Sequence, residues 1–148
     1  MSWKEPTISV FVPGNRNPMI IPSAIDKTMI DTTRIELKNL ADEHATIWTA
    51  YNQFQTYKEQ LPTLFRFNEI LVVSDGIEAR VGTISSEKER FMQWKTIDGK
   101  KENKGLTEIE ILLRGMCDKS RLLDIIRNFI VFEKEKATIK KLSAYHQY

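Results

Sequence analysis

Glu36 and Lys38 stand two residues apart in the run Ile35-Glu36-Leu37-Lys38-Asn39. Side chains two apart in an extended chain share a face. If this run ends a strand, the carboxylate and the ammonium therefore project together while Leu37 packs behind them. A carboxylate can hold a hard cation such as Mg²⁺, and a neighbouring ammonium can orient an attacking water or stabilise charge developing on a phosphate. The chemistry that fits is metal-assisted phosphodiester hydrolysis. In a chain with 28% charged residues the bare Glu-x-Lys pattern also arises as an ordinary solvated strand edge, so its surroundings decide its meaning.

A Mg²⁺ site calls for a further acidic ligand, since the ion takes octahedral oxygen coordination from one or two carboxylates plus waters and phosphate. Asp26 lies ten positions before Glu36, far enough for a tight hairpin to bring the two together, whereas Asp31, five before, is too close. Both also read as turn aspartates. Downstream, Gln53 and Tyr57 are four apart and share a helical face. Gln53 can hydrogen-bond a water or phosphate oxygen near the metal, and the Tyr57 hydroxyl can support it.

The elements that must position these groups follow from periodicity. Residues 7–12 alternate Ile8, Val10 and Val12 on one face before Pro13-Gly14, a strand and turn. Residues 15–33 show no firm period and read as a short strand or loop insertion, and residues 34–38 form the strand carrying the acid and amine. A helix is expected over about residues 43–60, opened near Asp42 and closed by Pro62. Ile70-Leu71-Val72-Val73-Ser74 is the continuous apolar run of a strand buried on both faces. Residues 77–84 and 91–97 read as further strands around a charged turn. Residues 106–117 and 120–132 read as helices, the second capped near Ser120. The charged tail 134–148 is expected to be poorly ordered. The sum is a layered α/β domain with a mixed central sheet flanked by helices.

At 148 residues the chain fits one domain, and 22 Lys and Arg against 20 Asp and Glu leave a net charge of only +2. Any nucleic-acid contact must come from a local patch. The single cysteine, Cys117, excludes an intramolecular disulfide and fits a reducing compartment, with a packing role near a helix end. The N-terminus has no signal-peptide core, and no run reaches the ~18 apolar residues of a membrane span. A cytoplasmic protein with no membrane partner is expected.

The run around Glu36, with Ala41-Asp42-Glu43, Ala45-Thr46-Ile47-Trp48, residues 51–58 and Leu61-Pro62-Thr63-Leu64-Phe65, resembles the nuclease domain of the restriction (R) subunit of type I restriction-modification enzymes. The resemblance continues through Val73-Ser74-Asp75-Gly76, Trp94-Lys95-Thr96-Ile97-Asp98-Gly99 and Leu112-Leu113-Arg114-Gly115 to Ala144-Tyr145-His146-Gln147-Tyr148. It implies a restriction-endonuclease-like PD-(D/E)xK core and Mg²⁺-dependent cleavage of unmodified double-stranded DNA, with modification and specificity subunits as partners. It further implies Glu36 as a metal ligand, Lys38 as the catalytic lysine, and Gln53 with Tyr57 as the glutamine-tyrosine helix motif. Arg34, Lys58, Arg66 and Arg80 are candidates for phosphate contacts.

Two departures from the family pattern stand out. Residues 6–14 resemble the strand that the family opens with a Pro-Asp pair, but Thr7 occupies the aspartate's place, so either Asp26 supplies the second ligand or the site lacks one. The chain also has no G-x-x-x-x-G-K-[ST] loop, which excludes ATP binding by that route. Residues 1–133 are thus expected as a nuclease-like domain, divergent over 1–33, with 134–148 leading toward an absent motor; a fragment, excised domain or truncated relative is expected. The alternative is a non-catalytic remnant that binds DNA or restriction-complex subunits, and a further one is assembly alone, with self-association through apolar surface.

Overall fold

A computed structural model describes residues 7–11 and 33–35, these two as backbone, and 46–65, 68–100, 103, 105–134 and 137–148. Six strands and three α-helices lie among them: β1 (Thr7–Phe11), β2 (Thr33–Ile35), α1 (Ile47–Gln60), β3 (Asn68–Ser74), β4 (Ala79–Gly82), α2 (Glu108–Gly115), α3 (Lys119–Asn128), β5 (Ile130–Lys134) and β6 (Thr138–Leu142). Four strands form one sheet in the order β2-β1-β3-β4, and β5 and β6 form a separate hairpin. The pairings β2·β1 and β1·β3 are parallel and β3·β4 is antiparallel, so the central sheet is mixed, as the pattern of elements predicts. No described helix is long and apolar enough to cross a membrane.

β3 is buried on both faces, as its unbroken apolar run predicts. Ile70 and Val72 face one way, into a core with Ala79, Val81, Trp94 and the apolar sides of α2 and α3. Leu71 and Val73 face the other way, against Ala50 and Phe54 of α1, Phe65 and Phe91. The period-two alternation of a strand thus feeds two separate cores, one per helical layer.

Several boundaries depart from expectation for local reasons. α1 begins at Ile47, with Thr46 at its N-cap, later than residue 43. The strand expected from 77 begins instead at Ala79, because Asp75 Oδ1 accepts the amides of Ile77 and Glu78 at 2.9 and 2.8 Å. That turn also needs Gly76 at φ 97°. Of the strand expected over 91–97 only the Val81–Met92 bridge exists. The Trp94 indole donates to Thr96 O at 2.7 Å and the Thr96 hydroxyl accepts Gly99 N–H at 3.0 Å, and such side chain–backbone bonds compete with a ladder.

The third helix is capped by Asp118, whose Oδ1 accepts Arg121 N–H at 3.2 Å, and not by Ser120. It stops at Asn128 because Ile130-Val131-Phe132, rich in β-formers, pairs with β6. The described part of the tail is therefore ordered, contrary to expectation. It forms β6 and a short turn in which Tyr145 packs edge-on to Trp94 at 5.0 Å between ring centroids.

The end of α2 lies against the 94–96 segment so closely that a Cβ on Gly115 would meet Thr96 O at 2.4 Å and Trp94 Nε1 at 2.6 Å. Both atoms belong to the bonded indole–carbonyl pair and have little room to yield. Gly115→Ala is expected to cost about 1–3 kcal/mol, the range for overpacking. A lower urea midpoint at unchanged slope shows this; an unchanged midpoint contradicts it.

Candidate functional site

α1 presents Ile47, Ala50 and Phe54 to the core. Gln53 and Tyr57 lie along its flank, half-buried, and Gln53 Nε2 donates to Tyr57 Oη at 2.9 Å. The structure therefore brings together the glutamine and tyrosine that the spacing pairs. One residue on, Lys58 Nζ donates to Ile84 O at 3.0 Å and lies 5.8 Å from the Phe54 ring centroid. Tyr51, edge-on to Phe91 at 5.4 Å, has its phenol pushed above the ordinary tyrosine range by burial and by the nearby Glu87 carboxylate.

Glu36, Lys38, Asp26 and Arg66 lie outside the described residues, and so does Asp31. The described part of β2 ends at Ile35, one residue before Glu36. Arg34 is described as backbone, opposite Ser9 in the parallel ladder. Arg80 Nη1 pairs with the Glu108 carboxylate and donates to Ala79 O at 2.8 Å. Among the described residues, no group of three His, Cys, Asp or Glu side chains could hold a metal ion.

The register bears on the missing aspartate. Ile35 sits opposite Val10, and Thr7 is three residues earlier on β1, roughly 10 Å away at the rise of a strand. Because β1 and β2 are parallel, Thr7 lies at the opposite end of the pair from the point where the chain leaves β2 toward Glu36. A parallel pair also cannot be joined by a tight hairpin. The connection between the two strands, residues 12–32, carries Asp26 and lies outside the described residues.

Two polar centres escaped the sequence reading. Glu108 accepts Ala79 N–H at 2.9 Å, the Arg80 guanidinium, and Gln93 Nε2 at 2.7 Å, fixing the first turn of α2 to β4. An acid in a helix's first turn was its only signal. Lys140 is buried, with its ammonium donating to Asn68 O at 3.0 Å and paired with Glu69. A lysine in a charged tail gave no sign of that. Cys117 is no nucleophile candidate, because burial pushes its thiol up to about 12 and the thiolate is the reactive form.

Comparison with known proteins bears on the same segment. The family model of the type I restriction enzyme R protein N terminus matches residues 32–90, which take in Glu36, Lys38, Gln53 and Tyr57. The chain is 45% identical over 118 residues to the type I restriction enzyme HindI endonuclease subunit of Haemophilus influenzae, covering 76% of this chain and 11% of that protein. It is 26% identical over 163 aligned positions to a Methanocaldococcus jannaschii protein named "Putative type I restriction enzyme MjaIXP endonuclease subunit", covering 99% of this chain and 14% of that protein. The MjaVIIIP counterpart from the same organism is 30% identical over 116 residues, 77% of this chain and 11% of that protein. The chain thus spans about a tenth of the length of the curated relatives it matches.

Two outcomes test this geometry. Tyr57→Phe removes the acceptor of the Gln53 carboxamide and is expected to cost about 0.5–1.5 kcal/mol in urea unfolding, with equal stability as the contrary result. Cys117 is expected to resist a thiol reagent at pH 8 in the folded chain and to react once denatured; rapid labelling of folded chain contradicts the raised thiol.

Proposed function

Because the chain belongs to the family of type I restriction enzyme R-protein N-terminal regions, we propose that it is the Mg²⁺-dependent endonuclease region of such an enzyme, hydrolysing phosphodiester bonds of unmodified double-stranded DNA. The observation that carries this reading is the Gln53–Tyr57 hydrogen bond of 2.9 Å on α1. It sits within the matched segment that also holds Glu36 and Lys38. A restriction-endonuclease-like core, a cytoplasmic setting, and modification and specificity subunits as partners belong to the same proposal.

Glu36 and Asp26 offer carboxylate oxygens, the donor type a hard divalent cation takes, so the donor set fits Mg²⁺ by its chemistry. When bound, the cation supplies Lewis-acid polarisation of the phosphate and a water of lowered pKa. Lys38 orients the attacking water and stabilises charge as it develops on the phosphoryl oxygens. Gln53, with Nε2 engaged by Tyr57, has its carbonyl Oε1 as the acceptor that would hold a water or an ammonium hydrogen. Arg34 and Arg66, whose side chains lie outside the described residues, stay candidates for phosphate contacts. Lys58 and Arg80 have their cationic heads on protein acceptors.

The parallel register favours a second reading, a non-catalytic domain that binds DNA or restriction subunits. Thr7 carries no carboxylate and lies at the far end of the β1·β2 pair from Glu36's attachment. Supercoiled plasmid with Mg²⁺ or Mn²⁺ separates the two. The nuclease reading predicts nicking by the parent chain and losses on the order of 10²-fold or more for Glu36→Ala and Lys38→Ala. Equal behaviour of parent and Glu36→Ala overturns it. Retained duplex binding in that case supports the second reading.

A further inference from the structure

α1 carries its fully buried residues early, at Ile47, Ala50 and Phe54, and none beyond Phe54. Its last turn holds Tyr57, which packs half-buried against the second core, but no fully buried residue. Helix ends are where fraying begins. Lys58 adds a polar anchor there. Its ammonium donates to Ile84 O at 3.0 Å and lies 5.8 Å from the Phe54 ring centroid.

Ile84 belongs to a turn that is itself braced. Thr83 N–H donates to Ser86 Oγ at 2.9 Å and Ser86 N–H returns to Thr83 O at 3.0 Å. Thr83 is fully buried, and its hydroxyl donates to Lys140 O at 2.6 Å, while Lys140 N–H donates to Ser85 Oγ at 3.1 Å. The ammonium of the same lysine reaches Asn68 O at 3.0 Å and pairs with Glu69 at the start of β3. The 83–86 turn is thus gripped by α1 on one side and by β6 on the other.

We propose that Lys58 is a positioning residue for the Gln53–Tyr57 pair, acting through the 83–86 turn, and that this turn ties the pair to the C-terminal β5–β6 hairpin. The proposal rests on the reading of α1 as the site helix. It replaces a phosphate-contact role for Lys58, whose head is turned inward to a carbonyl. It also gives the hairpin a use: displacement of β6 is transmitted to the helix end through Thr83 and Ile84.

The test is amide hydrogen exchange by NMR on the 148-residue chain, read at the backbone amides of Tyr57 and Leu61 and at the carboxamide shifts of Gln53. Lys58→Met is expected to speed exchange at both amides about tenfold, the effect of losing one charge-assisted hydrogen bond. Lys58→Arg, which can still donate to Ile84 O, restores the parent rates. Thr83→Val, on the hairpin side, speeds the same amides and shifts the Gln53 carboxamide, while Thr83→Ser behaves as parent. Exchange at Ile111 and Leu112 of α2 stays unchanged and reports that the fold is intact. Should Thr83→Val lose that protection, Ser85→Ala, which deletes only the acceptor of Lys140 N–H, takes its place.

An α1 end unaffected by Lys58→Met, or by the hairpin-side variant, overturns the proposal. In the plasmid assay the same variants are expected to lower kcat at unchanged KM for DNA, whereas a lost phosphate contact raises KM and overturns the positioning role. The exchange readout needs no cleavage. A chain inert toward DNA therefore counts against the nuclease reading and leaves the clamp to be judged on exchange alone.

Discussion

Burial of β3 on both faces is the constraint from which the rest of the structure follows. Ile70, Leu71, Val72 and Val73 are each at most 1% exposed, and full burial of such side chains contributes about 1.5–3 kcal/mol apiece. Because alternate residues serve different cores, a slip of one position would exchange the two sets and leave neither helical layer matched. β1 takes its parallel register from β3, with Ile8 opposite Ile70 and Val10 opposite Val72. β2 takes its own from β1. The point where the chain leaves β2 toward Glu36 is thereby set by packing two strands away.

The polar contacts work at the rims of these layers and do a different job. Glu108, Lys140 and Lys58 each join two elements through a backbone group: α2 to β4, β6 to β3, and α1 to the turn after β4. Partly exposed ion pairs such as Arg80–Glu108 add little to net stability. Their value lies in register, since each carboxylate or ammonium also bonds a backbone group whose position it fixes. A site that depends on distances between elements needs such pins more than it needs additional core.

Much of this was legible in the residues. The unbroken run 70–74 announced a doubly buried strand, and the helical spacing of Ile47, Tyr51, Phe54 and Tyr57 announced the helix that places Gln53 and Tyr57 on one flank. What escaped reading depended on partners distant in sequence. Residues 130–132 have the apolar spacing of a continuing helix, and only the pairing with 140–142 makes them a strand. Lys140 looked like one charge in a charged tail until Asn68 and Glu69, some seventy residues earlier, met its ammonium. The parallel sense of β1 and β2 was equally hidden, because alternation sets which face a side chain takes and says nothing of strand direction.

The central claim is that Glu36 belongs to a metal-assisted site supported by the Gln53–Tyr57 pair. Mn²⁺ binding followed by electron paramagnetic resonance addresses it without relying on turnover. The account predicts saturable binding by the parent chain, loss of that binding in Glu36→Gln, and retention in Gln53→Ala. Equal Mn²⁺ binding by the parent and Glu36→Gln would contradict it.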